Sequence, residues 1–241
     1  MSADADTRRL RVYRFKRGDP AGEHFDEFEV PVDAGTTLLD ALVWIQHHRD
    51  RTLALRASCH HAACGTCGVQ ANGREVLACV TPFDGLGRRI TVEPLANLPV
   101  LADLVVDMRE FFERFHDGHP LVRDSELVAG AEPPEDLGRF MRYDDCIECA
   151  LCLSACPVAA TARAYAGPAA LGAAQRCLEE DPSLAEGDLL DWADAPDGVW
   201  RCHIGYECTA VCPSDFKPAE RLMALRGRLV RAPARRRAVR S

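Results

Sequence analysis

The stretch Cys146-Ile147-Glu148-Cys149-Ala150-Leu151-Cys152-Leu153-Ser154-Ala155-Cys156-Pro157 sets four thiols at the spacing C-x2-C-x2-C-x3-C-P. Three thiols two residues apart bend a short loop around a common point, and a proline after the fourth cannot extend whatever precedes it. This run holds iron-sulfur cubanes, and where two clusters are present its fourth cysteine ligates the other one. A second run is therefore expected, and it lies at Cys202, Cys208 and Cys212-Pro213. The same template laid there needs thiols at 202, 205, 208 and 212, but position 205 is glycine. Crossing the fourth ligands gives Cys146, Cys149, Cys152 and Cys212 to one site and Cys156, Cys202 and Cys208 to the other. A cubane whose corner iron lacks a thiolate tends to lose that iron. The spacing thus predicts [4Fe–4S] at the first site and [3Fe–4S] at the second, the alternative being a second cubane completed by water or another residue.

Upstream, Cys59, Cys64 and Cys67 stand at C-x4-C-x2-C with Cys79 following, the plant-type arrangement for a [2Fe–2S] cluster. Gly65 and Gly68 suit a loop that must bring backbone N–H groups close to sulfur. A structural zinc site also takes four thiolates, but zinc ribbons pair two C-x2-C knuckles and only one short pair stands here. His60 and His61 lie inside the loop, either as exposed residues or as groups that tune a cluster by hydrogen bonding. The twelfth cysteine, Cys177, sits on the helical stretch Leu171–Glu179 with no partner spacing and reads as a packed thiol.

Around these groups, the 241 residues suit two modest domains. Arg8–Arg17 and Glu27–Val32 alternate apolar and polar residues around a Gly/Pro turn, which predicts a hairpin. Thr36 or Thr37 caps a helix carrying Leu38, Leu42 and Ile45 on one face. Val69–Ala71 and Glu75–Leu77 flank Asn72-Gly73, a strong hairpin signal, and Ile90–Leu95 supplies another strand. Beyond Pro99 the spacing turns helical, beginning with Leu104, Met108, Phe111 and Phe115 on one predicted face. An exposed loop is expected at 129–138, around Pro133-Pro134.

The formal charge is −8, and without the seven Arg between 226 and 241 it falls to −15, so the body of the chain does not suit nucleic acid. Arg235, Arg236, Arg237 and Arg240 read as a solvated basic tail or as a contact for an acidic partner or anionic membrane surface. No stretch approaches the roughly 18 apolar residues of a membrane span. Arg8-Arg9 is followed by no apolar run, which points to a reducing compartment where paired cysteines favour metal over disulfide.

Three clusters in this order, on a chain that is strand-rich and then helical, resemble the iron-sulfur subunit of the succinate dehydrogenase/fumarate reductase family. The likeness extends through Thr37-Leu38-Leu39-Asp40-Ala41-Leu42, Cys64-Gly65-Thr66-Cys67, Leu77-Ala78-Cys79, Leu98-Pro99-Val100, Asp103–Met108 and Gly167-Pro168-Ala169, and covers roughly residues 8 to 230. It implies an α+β chain: a β-grasp plant-type [2Fe–2S] ferredoxin domain (8–100), an all-α dicluster ferredoxin domain (101–230) and the basic tail (231–241). It further implies an FAD-containing flavoprotein partner that interconverts succinate and fumarate, membrane-anchor subunits with or without haem, quinone as acceptor, and a peripheral position on the cytoplasmic face of the inner membrane. Clusters carry single electrons, so the two-electron chemistry of succinate belongs to the flavin. His203, directly after Cys202, matches the family pattern beside the three-iron site, and with Pro157 is the candidate quinone-proximal residue. The chain departs from the family after Pro157, where Val158-Ala159-Ala160-Thr161 replaces a stretch that commonly holds Trp.

Two other assemblies accommodate the same thiols. The clusters of another flavoprotein dehydrogenase, of the glycerol-3-phosphate, lactate or heterodisulfide kind, usually come with Cys-Cys-Gly repeats, and this chain has none. A soluble polyferredoxin would need no partner and would purify alone.

Overall fold

The computed structural model describes residues 7–32, 36–116, 146–180 and 188–231. They divide into two compact units, one running to Glu110 and taking in Ile147–Ala155, the other starting at Phe111 and resuming at Cys156. The loop expected at 129–138 and the arginines from 235 to 240 lie outside the described residues.

In the first unit, β1 (Thr7–Arg14) pairs antiparallel with β2 (His24–Pro31), Thr7 opposite Pro31 and Arg14 opposite His24. Helix α1 (Leu38–His48) starts at Thr37, whose hydroxyl accepts from the Asp40 amide while the Asp40 carboxylate accepts from the Thr37 amide. This reciprocal cap satisfies two donors that a helix start leaves open, which decides for Thr37 over Thr36. β3 (Gly68–Ala71) and β4 (Arg74–Leu77) are joined by Asn72 at φ 52° and Gly73 at φ 75°, the double left-handed turn that matches strand twist. β5 (Arg89–Glu93) lies parallel to β1 and antiparallel to β3, giving the order β2-β1-β5-β3-β4. Leu10, Val12, Ile90 and Val92 of the sheet are buried, as are Leu38, Leu42 and Ile45 of α1. A mixed sheet with one such helix is the β-grasp arrangement.

The helical face expected at Leu104, Met108, Phe111 and Phe115 is not formed as one helix. A second small sheet takes the first part, β6 (Val100–Ala102) against β7 (Val105–Val106), and only α2 (Arg109–Phe112) is helical. Asp103 turns the chain at φ 44° and spends its carboxylate on distant partners, so a tertiary bond outweighs the local helical spacing. Phe111 is nevertheless buried, ringed by Phe112 and Phe115 at 5.2 and 5.3 Å between centroids.

Helix α3 (Leu151–Ser154) belongs to the first unit, where the Ser154 hydroxyl donates to Glu75 and accepts from the Ala96 amide. The second unit holds α4 (Pro157–Thr161), α5 (Pro168–Glu180), α6 (Asp188–Asp194), α7 (Glu207–Ala210) and α8 (Pro218–Arg231). Leu222, Leu225 and Leu229 form the buried stripe of α8, and α5 packs against that helix. Gly172 is obligatory in α5, because a Cβ there would lie 2.8 Å from the buried Phe216 ring. Cys177 is buried on α5. Among the described residues no helix is long and apolar enough to cross a membrane.

Strand alternation also turns Arg14 inward behind Leu10 and Val12, which places a guanidinium among buried side chains. It is balanced there by Asp103 at 3.1 Å, Asp26 at 2.8 Å and Asp50 at 2.5 Å, while Asp103 also accepts from the Phe15 and Ala54 amides. Burial alone would raise the Asp50 carboxyl, but the Thr52 hydroxyl and amide and then Arg14 lower it to about 2. Since that value lies below the unfolded one, Asp50's share of stability is complete above about pH 4 and is lost as the pH falls towards 2. Arg14→Met leaves Asp103 buried without its cation and should cost about 3–5 kcal/mol in denaturant unfolding. It should also reduce the Asp50 contribution to the acid transition without abolishing it, since Thr52 still holds that carboxyl, read as a somewhat flatter stability profile between pH 4 and 2. An Arg14→Met protein as stable as the parent would show that the cluster is solvated and not structural.

Candidate metal centres

The plant-type loop wraps its thiols with backbone. Residues His60 and Ala62 take left-handed conformations at φ 61° and 60°, and Gly65 follows at φ 69°. The curl turns the amides of His61, Ala63 and Cys64 onto the Cys59 sulfur at 3.5, 3.2 and 3.3 Å. The Cys59 thiol is lowered to about 6, first by the His61 amide and then, against burial, by Cys64 and Ala63. Thr66 lowers Cys64 through its hydroxyl, 3.2 Å from that sulfur, and its amide. Burial, with the adjoining Cys79 thiol, pushes Cys67 up to about 11. The sulfurs neighbour one another as two pairs, Cys59 with Cys64 and Cys67 with Cys79, as a two-iron diamond with two thiolates per iron requires. Among the described residues no three His, Cys, Asp or Glu side chains gather as ligands of a single ion. His60 and His61 are exposed, and His61 spends its Nδ1–H on the Cys59 carbonyl at 2.5 Å.

The two downstream runs share one backbone pattern. Glu148 and Ala150 stand at φ 52° and 62°, and Ile204 and Tyr206 both stand at φ 60°. Each pair sits at the second and fourth positions after the run's first cysteine, and each run then enters a four-residue helix, α3 or α7. The Leu153 and Ser154 amides donate to Ala150 O just as those of Thr209 and Ala210 donate to Tyr206 O. Residue for residue, Gly205 therefore has the backbone place of Cys149. A Cβ at Gly205 would meet only the Glu207 side chain, at 4.0 Å, so the place is open and unfilled by any other ligand.

Cys156, Cys202 and Cys208 line one small pocket of the second unit, a cavity of about 30 Å3 open at its mouth, with Tyr165 and Leu222 in its wall and Pro157 and His203 at its exposed rim. Cys156 is held at the start of α4, with the Ala159 and Val158 amides at its sulfur, and Cys208 lies inside α7. Burial first, then the neighbouring thiols, raises Cys156 and pushes Cys208 up to about 12. Three crowded thiols cannot all ionise in such a site without a cationic centre between them, which is the fit expected of iron. The loop that carries Cys202 is fastened by Arg226 of α8, whose guanidinium donates to the carbonyls of Val199 at 2.9 Å, Trp200 at 3.4 Å and Cys202 at 2.5 Å. Nothing in the cysteine spacing signals this arginine. Ala160 and Thr161 are exposed, and the Thr161 hydroxyl turns back onto the carbonyls of α4. Of the other four thiols, Cys149 and Cys152 belong to the first unit and Cys146 and Cys212 to the second. Cys152 is buried and Cys146, Cys149 and Cys212 are partly exposed.

Residues 9–113 match the family model of a 2Fe-2S iron-sulfur cluster binding domain, and residues 142–216 that of a 4Fe-4S dicluster domain. The fumarate reductase iron-sulfur subunit of Mycobacterium tuberculosis is 36% identical over 220 residues, covering 87% of each chain. The succinate dehydrogenase iron-sulfur subunit of Paracoccus denitrificans is 30% identical over 93% of this chain and 89% of its own. Among solved structures, a chain of the Mycobacterium smegmatis Sdh1 complex in the apo form superposes with a TM-score of 0.73 at 27% identity, covering 95% of this chain and 97% of that one.

Gly65 does more than turn the plant-type loop. A Cβ at this position would lie 2.7 Å from Ile147 O and 2.8 Å from Cys149 Cβ, so the loop touches the first downstream run directly within the first unit. Gly65→Ala should combine left-handed strain with overpacking and cost about 2–4 kcal/mol. Gly73→Ala, at a left-handed turn with nothing within 4 Å, should cost only about 1 kcal/mol. Thermal unfolding of the two variants tests this, and equal losses would mean that the Gly65 contact yields freely.

Proposed function

The chain belongs to the iron-sulfur subunits of succinate dehydrogenase and fumarate reductase, and from that premise we propose the path by which it carries electrons between a flavoprotein and quinone. Electrons enter at a [2Fe–2S] cluster on Cys59, Cys64, Cys67 and Cys79. They continue through a [4Fe–4S] cluster on Cys146, Cys149, Cys152 and Cys212 and leave from a [3Fe–4S] cluster on Cys156, Cys202 and Cys208. When bound, the clusters supply one-electron redox chemistry, and succinate and fumarate remain with the FAD of a partner flavoprotein.

The observation that carries this reading is the three-thiol pocket with glycine in the fourth ligand's place. Trp200, Ile204 and Tyr206 are exposed large side chains on either side of His203, a surface suited to an apolar anchor subunit. Such an anchor would hold the chain at the membrane as a peripheral subunit, on the cytoplasmic face in this reading. The chain's own residues divide the work. The amides of His61, Ala63 and Cys64 hold thiolate charge at the entry site. The contact of Gly65 with Cys149 brings the first two ligand loops together. Arg226 fixes the Cys202 loop at the exit, and the pocket wall keeps water from the buried thiols.

Anaerobically isolated complex should hold nine irons on this chain by the ligand count. Gly205→Cys adds the missing thiolate where there is room for it, and should replace the oxidised three-iron paramagnetic signal with a reduced four-iron one. The potential there should fall, because an added anionic ligand disfavours the reduced state, and quinone reduction should slow. Persistence of the three-iron signal would show that position 205 does not face the cluster.

His203→Ala should lower quinone reduction while succinate-driven reduction of an artificial acceptor at the flavin and the iron content stay at parent levels. Loss of both activities together with iron would make His203 a structural residue. Retention of both would put the exit on another face.

A further inference from the structure

Tyr165 is a pocket-wall residue whose chemistry neither the cysteine spacing nor the electron path uses. Its side chain is completely buried, and its hydroxyl has no oxygen or nitrogen acceptor in the protein, only the Cys202 thiol beside it. A buried phenol without a good acceptor costs about 1–3 kcal/mol, so a residue kept there needs a better acceptor than the polypeptide alone provides. The ring stands in the pocket with Cys156, Cys202 and Cys208. A phenol is protonated at neutral pH and is a donor there.

The backbone around it is held from three sides. The Tyr165 amide donates to Ala162 O at 3.0 Å, the Ala166 amide donates to Asp197 O at 2.9 Å, and the Arg114 guanidinium donates to Tyr165 O. The hydroxyl is thus aimed by a rigid segment, as a tuning group must be.

We propose that the Tyr165 hydroxyl donates a hydrogen bond to a sulfur of the cluster held by Cys156, Cys202 and Cys208, and thereby raises the reduction potential of that site. The inference rests on the three-iron reading above. Reduction adds one electron and hence one negative charge to the cluster, and a donor at sulfur stabilises the more negative form. No proton is transferred. A net hydrogen bond of ordinary strength corresponds to about a tenfold change in the oxidised-to-reduced ratio at fixed ambient potential. Tyr165 is a positioning and tuning residue in this role, not a ligand.

The test is a potentiometric titration of the assembled complex, followed by the paramagnetic signal of the oxidised three-iron cluster. Tyr165→Phe keeps the ring and removes only the donor. It should leave iron content unchanged and lower the midpoint by the equivalent of about a tenfold ratio, 59 mV for a one-electron couple, while the [2Fe–2S] midpoint stays in place. An unmoved three-iron midpoint in an iron-replete variant overturns the proposal and leaves the electron path standing. Absence of any three-iron signal in the parent complex overturns both. Should Tyr165→Phe lose its iron, 3-fluorotyrosine placed at position 165 alone decides, because the fluorinated phenol is a stronger donor. The three-iron midpoint should then rise, and a midpoint that stays or falls overturns the proposal.

Discussion

A ring of thiols closes around a cluster only if the backbone between its cysteines curls back on itself every second residue and turns its N–H groups inward. In this chain that curl is made by left-handed residues in pairs, at His60 and Ala62, Glu148 and Ala150, and Ile204 and Tyr206. None of the six is glycine. Each such residue costs about 1–2 kcal/mol against an ordinary conformation, so the three loops store strain that their own hydrogen bonds only partly offset. Metal–thiolate bonding would supply the balance, and cluster insertion would then be part of folding for these segments. Everything else in the fold is arranged so that the loops are presented already curled.

The two units solve that presentation differently. The first anchors its loop between α1 and the β3–β4 hairpin, which supplies Cys79 just past β4, and braces the surrounding chain with the buried Arg14–Asp103 pair. The second has no sheet among its described residues and fastens its thiols with guanidinium groups on backbone carbonyls, Arg226 at Cys202 and Arg114 at Tyr165. Arginine suits this task because its planar fork reaches several carbonyls at once and remains charged at any working pH. The positive charge also lies near three thiols; Arg114 lowers Cys156 against the larger upward pull of burial.

The plant-type loop and the three-thiol pocket differ in environment accordingly. At the plant-type loop the leading thiols are partly exposed and amide-bonded, which favours the thiolate. At the three-thiol pocket burial dominates and opposes it. Clusters held in the two places would respond to different neighbours, so their potentials could be graded independently. Gly65, pressed against Cys149, shows the opposite requirement, that adjacent cofactor loops approach without a side chain between them.

The order of strands and helices, the capping of α1 and the Asn72-Gly73 turn were legible because they depend on side-chain periodicity and on conformations that few residues adopt. The cysteine spacing was legible for a similar reason, since a thiol ring sets a narrow range of loop lengths. The gap at Gly205 could be read off a template because the template counts residues, and the repeated left-handed pairs give that count a backbone counterpart. The helix expected from Leu104 to Phe115 was misread, since its apolar spacing carries no sign of the Asp103 carboxylate that a distant arginine and two amides claim. Arg226 and Tyr165 were invisible for the same reason: one lies 24 residues from the cysteine whose carbonyl it holds, and the other looks like any core aromatic. Sequence alone determined which residues can be ligands, because ligation follows from residue type and local spacing. Only the tertiary structure decided which side chains surround those ligands, because burial and hydrogen bonding join groups that the chain itself keeps far apart.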